Sequence, residues 1–176
     1  MARDSRDVPA SARRVVAAVA IQLVPLLGLL AAFTLAAAGW WAASGDAIPA
    51  QMFARLTVVA VVGLLGSFVV HELAHLGALR RIRSVESVRL ERTAWRLSLH
   101  AQGRMTPRQI AAVAVAGPGA CTLVGLALAV LAPGSTLPWW YLAHLVALVP
   151  PLGDGRALVL AMRAARRPHP TTTCRT

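Results

Sequence analysis

The sequence predicts an α-helical integral membrane protein with four transmembrane helices and a short cytoplasmic β-hairpin between helices 2 and 3. The composition is the first reason: 57% of the residues are hydrophobic and 14% are charged, whereas a soluble domain carries about 25% charged residues. Uncharged apolar windows of 18 or more residues also recur, which is long enough to cross a bilayer. Finally, arginines flank alternate ends of these windows, as expected for a chain that crosses the membrane repeatedly.

The charge balance narrows the possible partners. The net charge is +11, and every basic residue other than histidine is an arginine. This charge suits contact with anionic lipid headgroups at the cytoplasmic face. Because it is dispersed among apolar spans, we expect no nucleic-acid partner. Cys121 and Cys174 are too few for a disulfide framework, and we expect both to be free thiols.

The chain begins with a predicted cytoplasmic tail, residues 1–14, that carries four arginines. Residues 15–38 follow without a formal charge and predict an accessory transmembrane helix, kinked near Pro25. This apolar stretch is too long for a secretory signal peptide, and no clean cleavage site closes it. Residues 39–55 are interpreted as a short connection.

The next predicted unit is a three-helix core over 56–163, with spans at 56–79, 110–131 and 139–162. In the first of these spans, small residues and histidines recur every four positions, which predicts a helix face that packs against protein rather than lipid. The positions are Gly63, Ser67, His71 and His75, and Gly117, Cys121 and Gly125 form a similar stripe in the next span. A turn over 132–138 joins the last two spans, and the basic residues 164–176 predict a disordered cytoplasmic tail.

Residues 80–109 form the predicted loop between spans, with eight arginines. Apolar and polar residues alternate within 84–101 on both sides of Glu91-Arg92-Thr93-Ala94, which indicates a β-hairpin. A disordered basic loop is the alternative. The loop ends at Thr106-Pro107-Arg108-Gln109, where a capping threonine, a proline and a glutamine three residues after the cap predict a helix start.

The arginines also predict the orientation of the chain in a cell membrane. Both termini and the loop 80–109 are arginine-rich, whereas 39–55 and 132–138 are nearly free of arginine. By the positive-inside rule, the termini and the loop are cytoplasmic. The aromatic residues agree, because they collect at the opposite ends of the spans, at Trp40, Trp41, Trp139, Trp140 and Tyr141.

The chemistry is concentrated in the His-Glu-x-x-His pattern of residues 71–75. Residues four apart lie on one face of a helix, so His71 and His75 can bind one metal ion. Glu72 is adjacent and can take a proton from a water activated by the metal. A polar turn on a soluble helix is the alternative interpretation, but the surrounding segment is too apolar to be solvated.

A third ligand is predicted from depth in the membrane. His71 precedes the first cytoplasmic arginine of its span by nine residues, and Asp154 precedes Arg163 by nine. Both therefore lie about 14 Å from the boundary, where an ionisable residue needs a partner. Asp154 would complete a site for one Zn²⁺ per chain and leave a fourth position open. Pro150 and its neighbours would break the helix beside it.

The chain resembles the site-2 protease family of intramembrane zinc metalloproteases, without a PDZ or CBS domain. The likeness rests on HELAH at 71–75, AGPGAC at 116–121 and ALVPPLGDG at 147–155. It implies zinc ligands at His71, His75 and Asp154, with Glu72 as the general base. It further implies that the hairpin lies near the membrane and helps to hold a substrate segment as an extended strand.

The resemblance also exposes departures at positions associated with substrate contacts. Members commonly have asparagine near the position of Cys121 and at the position of Ala147, and the third motif is one residue short. His144, one turn before Ala147, is a candidate substitute donor, and helix packing is the alternative. Arg156 could stabilise an oxyanion or pair with Asp154, but the preferred interpretation is that it extends to the inner headgroups.

These observations predict a metalloendopeptidase that cuts in or near transmembrane segments of membrane proteins, with a possible regulatory membrane partner. A zinc-binding adaptor that has lost turnover is the alternative. The missing asparagines favour the adaptor, and the retained Glu72 opposes it. A metal transporter is a third interpretation, although it would need more intramembrane polar sites along a path.

Overall fold

A computed structural model describes residues 8–93 and 97–166. Three helical runs within this part of the chain are long and apolar enough to cross a membrane, and they span Ala12–Ser44, Ile48–Arg80 and Pro107–Leu131. A fourth candidate is a bent pair, Leu137–Leu148 and Gly153–Ala165, whose halves meet at 41°. Four transmembrane helices were predicted; the structure is mostly helical, with three or four candidate spans and the predicted antiparallel hairpin. The predicted tail 164–176 lies mainly outside the described residues, as does Trp95.

The first helix, α1 (Ala12–Ser44), is longer than the predicted span at both ends. The Ser11 side chain caps its start by accepting a hydrogen bond from the backbone N–H of Arg14 at 3.3 Å. It continues through Pro25 and ends at Gly45, whose φ of 78° suits a glycine in the left-handed region. Much of its surface is exposed and apolar; Leu35, for example, is 74% exposed. Such a surface is typical of a helix that faces lipid.

The predicted connection 39–55 is mostly helical, and only residues 45–47 join the first two runs. The second run comprises α2 (Ile48–Val58), a π-helical segment (Val59–Leu65) and α3 (Gly66–Arg80). Asp46 accepts a hydrogen bond from the Ile48 N–H, and Pro49 occupies the first turn, which is compatible with a helix start. Asp46 and Pro49 indicate a helix start at this point, and the sequence-based interpretation of a connection over 39–55 did not use them.

The predicted hairpin is present as β2 (Val85–Arg92) and β3 (Leu97–Gly103), which pair antiparallel with Leu90 opposite Leu99. A two-residue strand from the N-terminal segment, β1 (Val8–Pro9), adds to the other edge of β2. The sheet order is β1-β2-β3, so β3 is an edge strand within the described chain. Val15 and Ala18 of α1 pack with Leu76 and Leu90 in a buried cluster, which fixes the sheet against α1 and α3.

The third run, α4 (Pro107–Leu131), begins with the predicted capping box. Thr106 accepts from the Gln109 N–H at 3.3 Å, and the Gln109 side chain accepts from the Thr106 N–H at 2.8 Å. The predicted small-residue stripes are buried on both the second helical run and α4, at Gly63, Ser67, Gly117, Cys121 and Gly125. They let the helices of the core approach closely.

The last span is not a single helix. It comprises α5 (Leu137–Leu142), a 3₁₀ segment (Ala143–Leu148) and α6 (Gly153–Ala165), with the break at the predicted Pro150-Pro151 pair. Gly155 packs against the carbonyl oxygens of Leu148 and Val149, where a Cβ would have no room. This contact folds the start of α6 back towards the 3₁₀ segment and sets the position of Asp154.

Candidate metal centre

Two helices bring the predicted ligands together. His71 and His75 lie on the buried face of α3, and Asp154 lies in the first turn of α6. Nε2 of His71 is 3.1 Å from Nε2 of His75. Oδ2 of Asp154 is 3.2 Å from the first of these nitrogens and 3.4 Å from the second. The three donor atoms therefore form a nearly equilateral triangle.

This triangle fits a metal ion. Donors that bind one tetrahedral ion at about 2.0–2.1 Å lie about 3.3 Å from one another. All three donor separations at the site are close to this value. Two imidazoles and a carboxylate can thus hold a metal ion, with the fourth direction left for another ligand.

The backbone of α4 fixes the protonation of one ligand. Nδ1 of His75 lies 2.8 Å from the carbonyl oxygen of Val113. Because a carbonyl oxygen can only accept, Nδ1 carries the proton and donates it. The lone pair is then on Nε2, which faces His71 and Asp154. Ligating histidines commonly use such a contact to orient the ring.

Gly117 allows α4 to approach α3 closely at the site. A Cβ at this position would lie 2.8 Å from Cε1 of His75 and 2.9 Å from Cε1 of His71, and closer still to Nε2 of His75. The sequence identified Gly117 as part of a small-residue stripe. In the structure Gly117 lies against both histidine rings, so its missing side chain is what makes room for them.

The donors open into a cavity of about 420 Å³. Glu72 lines this cavity beside the three donors, where it can reach a water held in it. Strand β3 also lines the cavity, with Leu97, Ser98, Leu99, His100 and Ala101. The predicted base and the predicted hairpin therefore border the same space.

The three weaker candidates lie in different places. Arg156 is exposed on α6, and no ion pair joins it to Asp154 within the described residues. Cys121 is fully buried, and its thiol donates to the Ser67 carbonyl at 3.3 Å. His144 packs against His71, with 4.7 Å between the ring centroids. Neither Cys121 nor His144 lines the cavity, whereas Ala147 does.

Sequence reasoning missed two further residues at the site. The contact with the Val113 carbonyl could not be predicted, because every residue has a backbone carbonyl whatever its side chain. His100 was assigned no role, yet it lines the cavity, and its Nε2 lies 2.8 Å from Oε2 of Glu91 on the neighbouring strand. Ser98 and His100 alternate with apolar residues along β3, so they lie on one face of the strand. This alternation was the only feature of the sequence that pointed to His100.

Comparison with protein-family models, with curated proteins and with solved structures finds no match to this chain. Its function must therefore be inferred from the chemistry of these residues.

Proposed function

We propose that this chain is a membrane-embedded zinc metalloprotease of the site-2 type that hydrolyses peptide bonds in or near transmembrane segments of membrane proteins. The observation that carries the proposal is the convergence of His71, His75 and Asp154 at the spacing of a tetrahedral ion, with Glu72 bordering the same cavity. Such a pairing of an open three-ligand site with an adjacent carboxylate is typical of zinc hydrolases.

In this proposal each polar residue has one task. His71, His75 and Asp154 hold the ion, and a bound zinc ion polarises a carbonyl and makes water acidic enough to lose a proton near neutral pH. Glu72 takes that proton as the attack proceeds and delivers it to the departing amine. The Val113 carbonyl keeps His75 in the tautomer that leaves Nε2 free to bind.

The substrate would enter as an extended strand along β3. Among the described residues β3 pairs only with β2, so its other edge has backbone N–H and C=O groups free to pair. Residues 97–101 of this strand line the cavity that contains Glu72. A strand added at this edge would pass next to the three donors, and its backbone would be held by β-augmentation.

The large exposed apolar surface supports a substrate that arrives through the lipid. Leu123 is 72% exposed and Leu131 80% exposed, as expected for helices that face hydrocarbon. A transmembrane substrate is itself helical, and its carbonyls are hydrogen-bonded within the helix. The scissile segment must therefore unwind, so we expect Gly, Pro or Asn near the cleaved bond.

One observation favours the second candidate function, a zinc-binding adaptor without turnover. Ala147 lines the cavity at the position where the resembled family commonly has asparagine, and a methyl group cannot donate a hydrogen bond to a developing oxyanion. The other departure from the family pattern, Cys121, is buried and does not line the cavity, so its thiol does not supply the missing donor.

The test is co-expression with a library of single-span membrane proteins, comparing the wild type with Glu72→Gln. The amide is nearly isosteric but cannot accept the proton, and general-base catalysis contributes about 10²–10⁴-fold. We expect fragments with the wild type, none with the variant, and full zinc occupancy in both. If no fragment depends on Glu72 while zinc is fully bound, the protease is excluded and the adaptor takes its place.

A further inference from the structure

A second group of potential metal-ligating side chains shares His71 with the first, and its other two members do not line the cavity. One nitrogen of His71, one nitrogen of His144 and Sγ of Cys121 all lie within 4.8 Å of one another. They come from three elements: α3, the 3₁₀ segment and α4. Neither His144 nor Cys121 has a part in the proposed proteolysis.

The His71 ring has one nitrogen to spare for this group. Its Nε2 faces His75 and Asp154. Its Nδ1 is buried and has no hydrogen-bond partner among the described residues. The His71 side chain as a whole is only 9% exposed. An unpartnered buried polar atom is costly, so a native site usually has a ligand or water for it.

The ring separation also permits a shared ion. The centroids of His71 and His144 are 4.7 Å apart with the rings tilted by 32°, and those of His71 and His75, which border the first site, are 4.6 Å apart at 82°. Phe68 packs edge-on against His144 at 4.9 Å and restricts the orientation of its ring. Two imidazoles at this separation can bind one ion while Cys121 provides a third donor.

We propose that Nδ1 of His71, His144 and Sγ of Cys121 form a second site, specific for a soft or borderline cation such as Zn²⁺, Cu⁺ or Cd²⁺. A thiolate with two imidazoles selects such ions, whereas the carboxylate of the first site suits a harder one. On binding, Cys121 gives up its thiol proton to solvent. The partly exposed His144 provides the route of entry.

The shared ring makes the two sites interdependent. When both are filled, His71 bridges the ions and gives up its remaining ring proton, and the two cations repel each other across the imidazole. An ion at the second site therefore weakens binding at the first, and this coupling is reciprocal. The second site would regulate the metal content of the first through His71.

The experiment uses the full chain in detergent with Cys174 replaced by serine, so that Cys121 is the remaining thiol. Cadmium is titrated into metal-free protein, and the thiolate-to-cadmium charge-transfer absorbance reports only ions bound by Cys121. Asp154→Ala removes a ligand of the first site alone, and Cys121→Ser and His144→Phe each remove a ligand of the second alone. His100→Phe is the matched control for losing a histidine elsewhere.

We expect one equivalent of cadmium to produce the band in the parent, in Asp154→Ala and in His100→Phe. Cys121→Ser should abolish it, and His144→Phe, which keeps an aromatic ring against Phe68, should weaken cadmium binding at least about tenfold. His144→Gln provides a second test should the phenylalanine perturb packing. A band that is indifferent to both His144 variants would mean that a lone thiolate captures the ion, and the proposed site would be overturned. A folded parent without the band has the same consequence. The cadmium readout does not involve proteolysis. The second site can therefore be disproved while the proposed protease activity stands, and the protease activity can be disproved while the second site stands.

Discussion

Nδ1 of His75 donates a hydrogen bond to the carbonyl oxygen of Val113 across 2.8 Å, and this contact joins α3, the helix of the two candidate histidine ligands, to α4. A helix carbonyl normally accepts from the N–H four residues later, which is position 117. The residue at that position is Gly117, whose missing side chain leaves room for the same histidine ring. One turn of α4 therefore sets both the tautomer and the position of a ligand.

The first prediction concerns this turn. Gly117→Ala should weaken metal binding at least about tenfold, because the new methyl group would push both histidine rings out of place. The measurement is metal affinity by competition with a chelator of known strength. Gly119→Ala is the matched control, since its Cβ would meet only a Val115 methyl at 3.9 Å. Equal affinities in the two variants would contradict the role given to Gly117.

The second prediction concerns the third ligand. Purified Cys121→Ser protein, which lacks a ligand of the second site, should contain about one tightly bound zinc per chain, and Asp154→Ala in this background should lose it, because two histidines alone leave the ion under-coordinated. Elemental analysis after dialysis measures this directly. Asp46→Ala removes an acidic residue outside the site, where Asp46 caps Ile48, and should retain zinc. Zinc that survives in Asp154→Ala would remove Asp154 from the site.

The parts of the fold that were predictable depend on local physics. The capping box at Thr106 and Gln109 is formed by four consecutive residues, and the break at Pro150 follows from a missing N–H. The pairing of His71 with His75 follows from the helical period. Asp154 was reachable because its depth matched that of His71, and the structure brings the two within 3.2 Å.

The parts that were not predictable depend on tertiary contacts. β1 exists because the N-terminal segment meets the edge of β2, with Val8 opposite Leu90, and nothing in residues 8–9 signals a partner so far along the chain. The π-helical segment Val59–Leu65 has an ordinary apolar sequence. Its irregularity is matched by Tyr141, whose hydroxyl donates to the Val62 carbonyl at 2.9 Å. Tyr141, which was predicted to lie at the membrane interface, is buried against protein.

The third prediction follows from that contact. Tyr141→Phe should destabilise the protein by about 1 kcal/mol, because the Val62 carbonyl loses its donor in a buried setting. Thermal unfolding in detergent, followed by circular dichroism, gives the difference. Tyr141 does not line the cavity that contains the three donors, so zinc content at the first site should not change. Unaltered stability would mean that the π-helical segment satisfies this carbonyl in another way.

The fourth prediction concerns orientation in the membrane, which rests on the distribution of arginines and aromatic residues in the sequence. Single cysteines at Ser44 and Gln102, in a background without Cys121 and Cys174, should be labelled from opposite sides. Both positions are exposed, so a membrane-impermeant thiol reagent can reach them. We expect labelling of position 44 in intact cells and of position 102 only after permeabilisation. External labelling of position 102 would reverse the orientation and the side of cleavage.

The last prediction distinguishes an impaired protease from an adaptor. Ala147 lines the cavity that contains Glu72 and the donors, but it presents only a methyl group there. Ala147→Asn would add an amide donor where charge develops on the scissile carbonyl oxygen. A preorganised donor of this kind contributes about 10²–10³-fold to turnover, and a newly introduced one is less well positioned, so we expect an increase of at least about tenfold.

The measurement is the initial rate of cleavage of a single-span substrate by zinc-loaded protein, compared with Ala157→Asn. Ala157 lines the same cavity and controls for added polarity. Both variants should keep their zinc, and Glu72→Gln should abolish the gain, because the new donor acts only on the reaction that Glu72 supports. A gain shared by both asparagine variants would mean that cavity hydration, rather than a donor at position 147, limits the rate. No gain in folded, zinc-loaded Ala147→Asn would show that this side chain does not reach the reacting carbonyl.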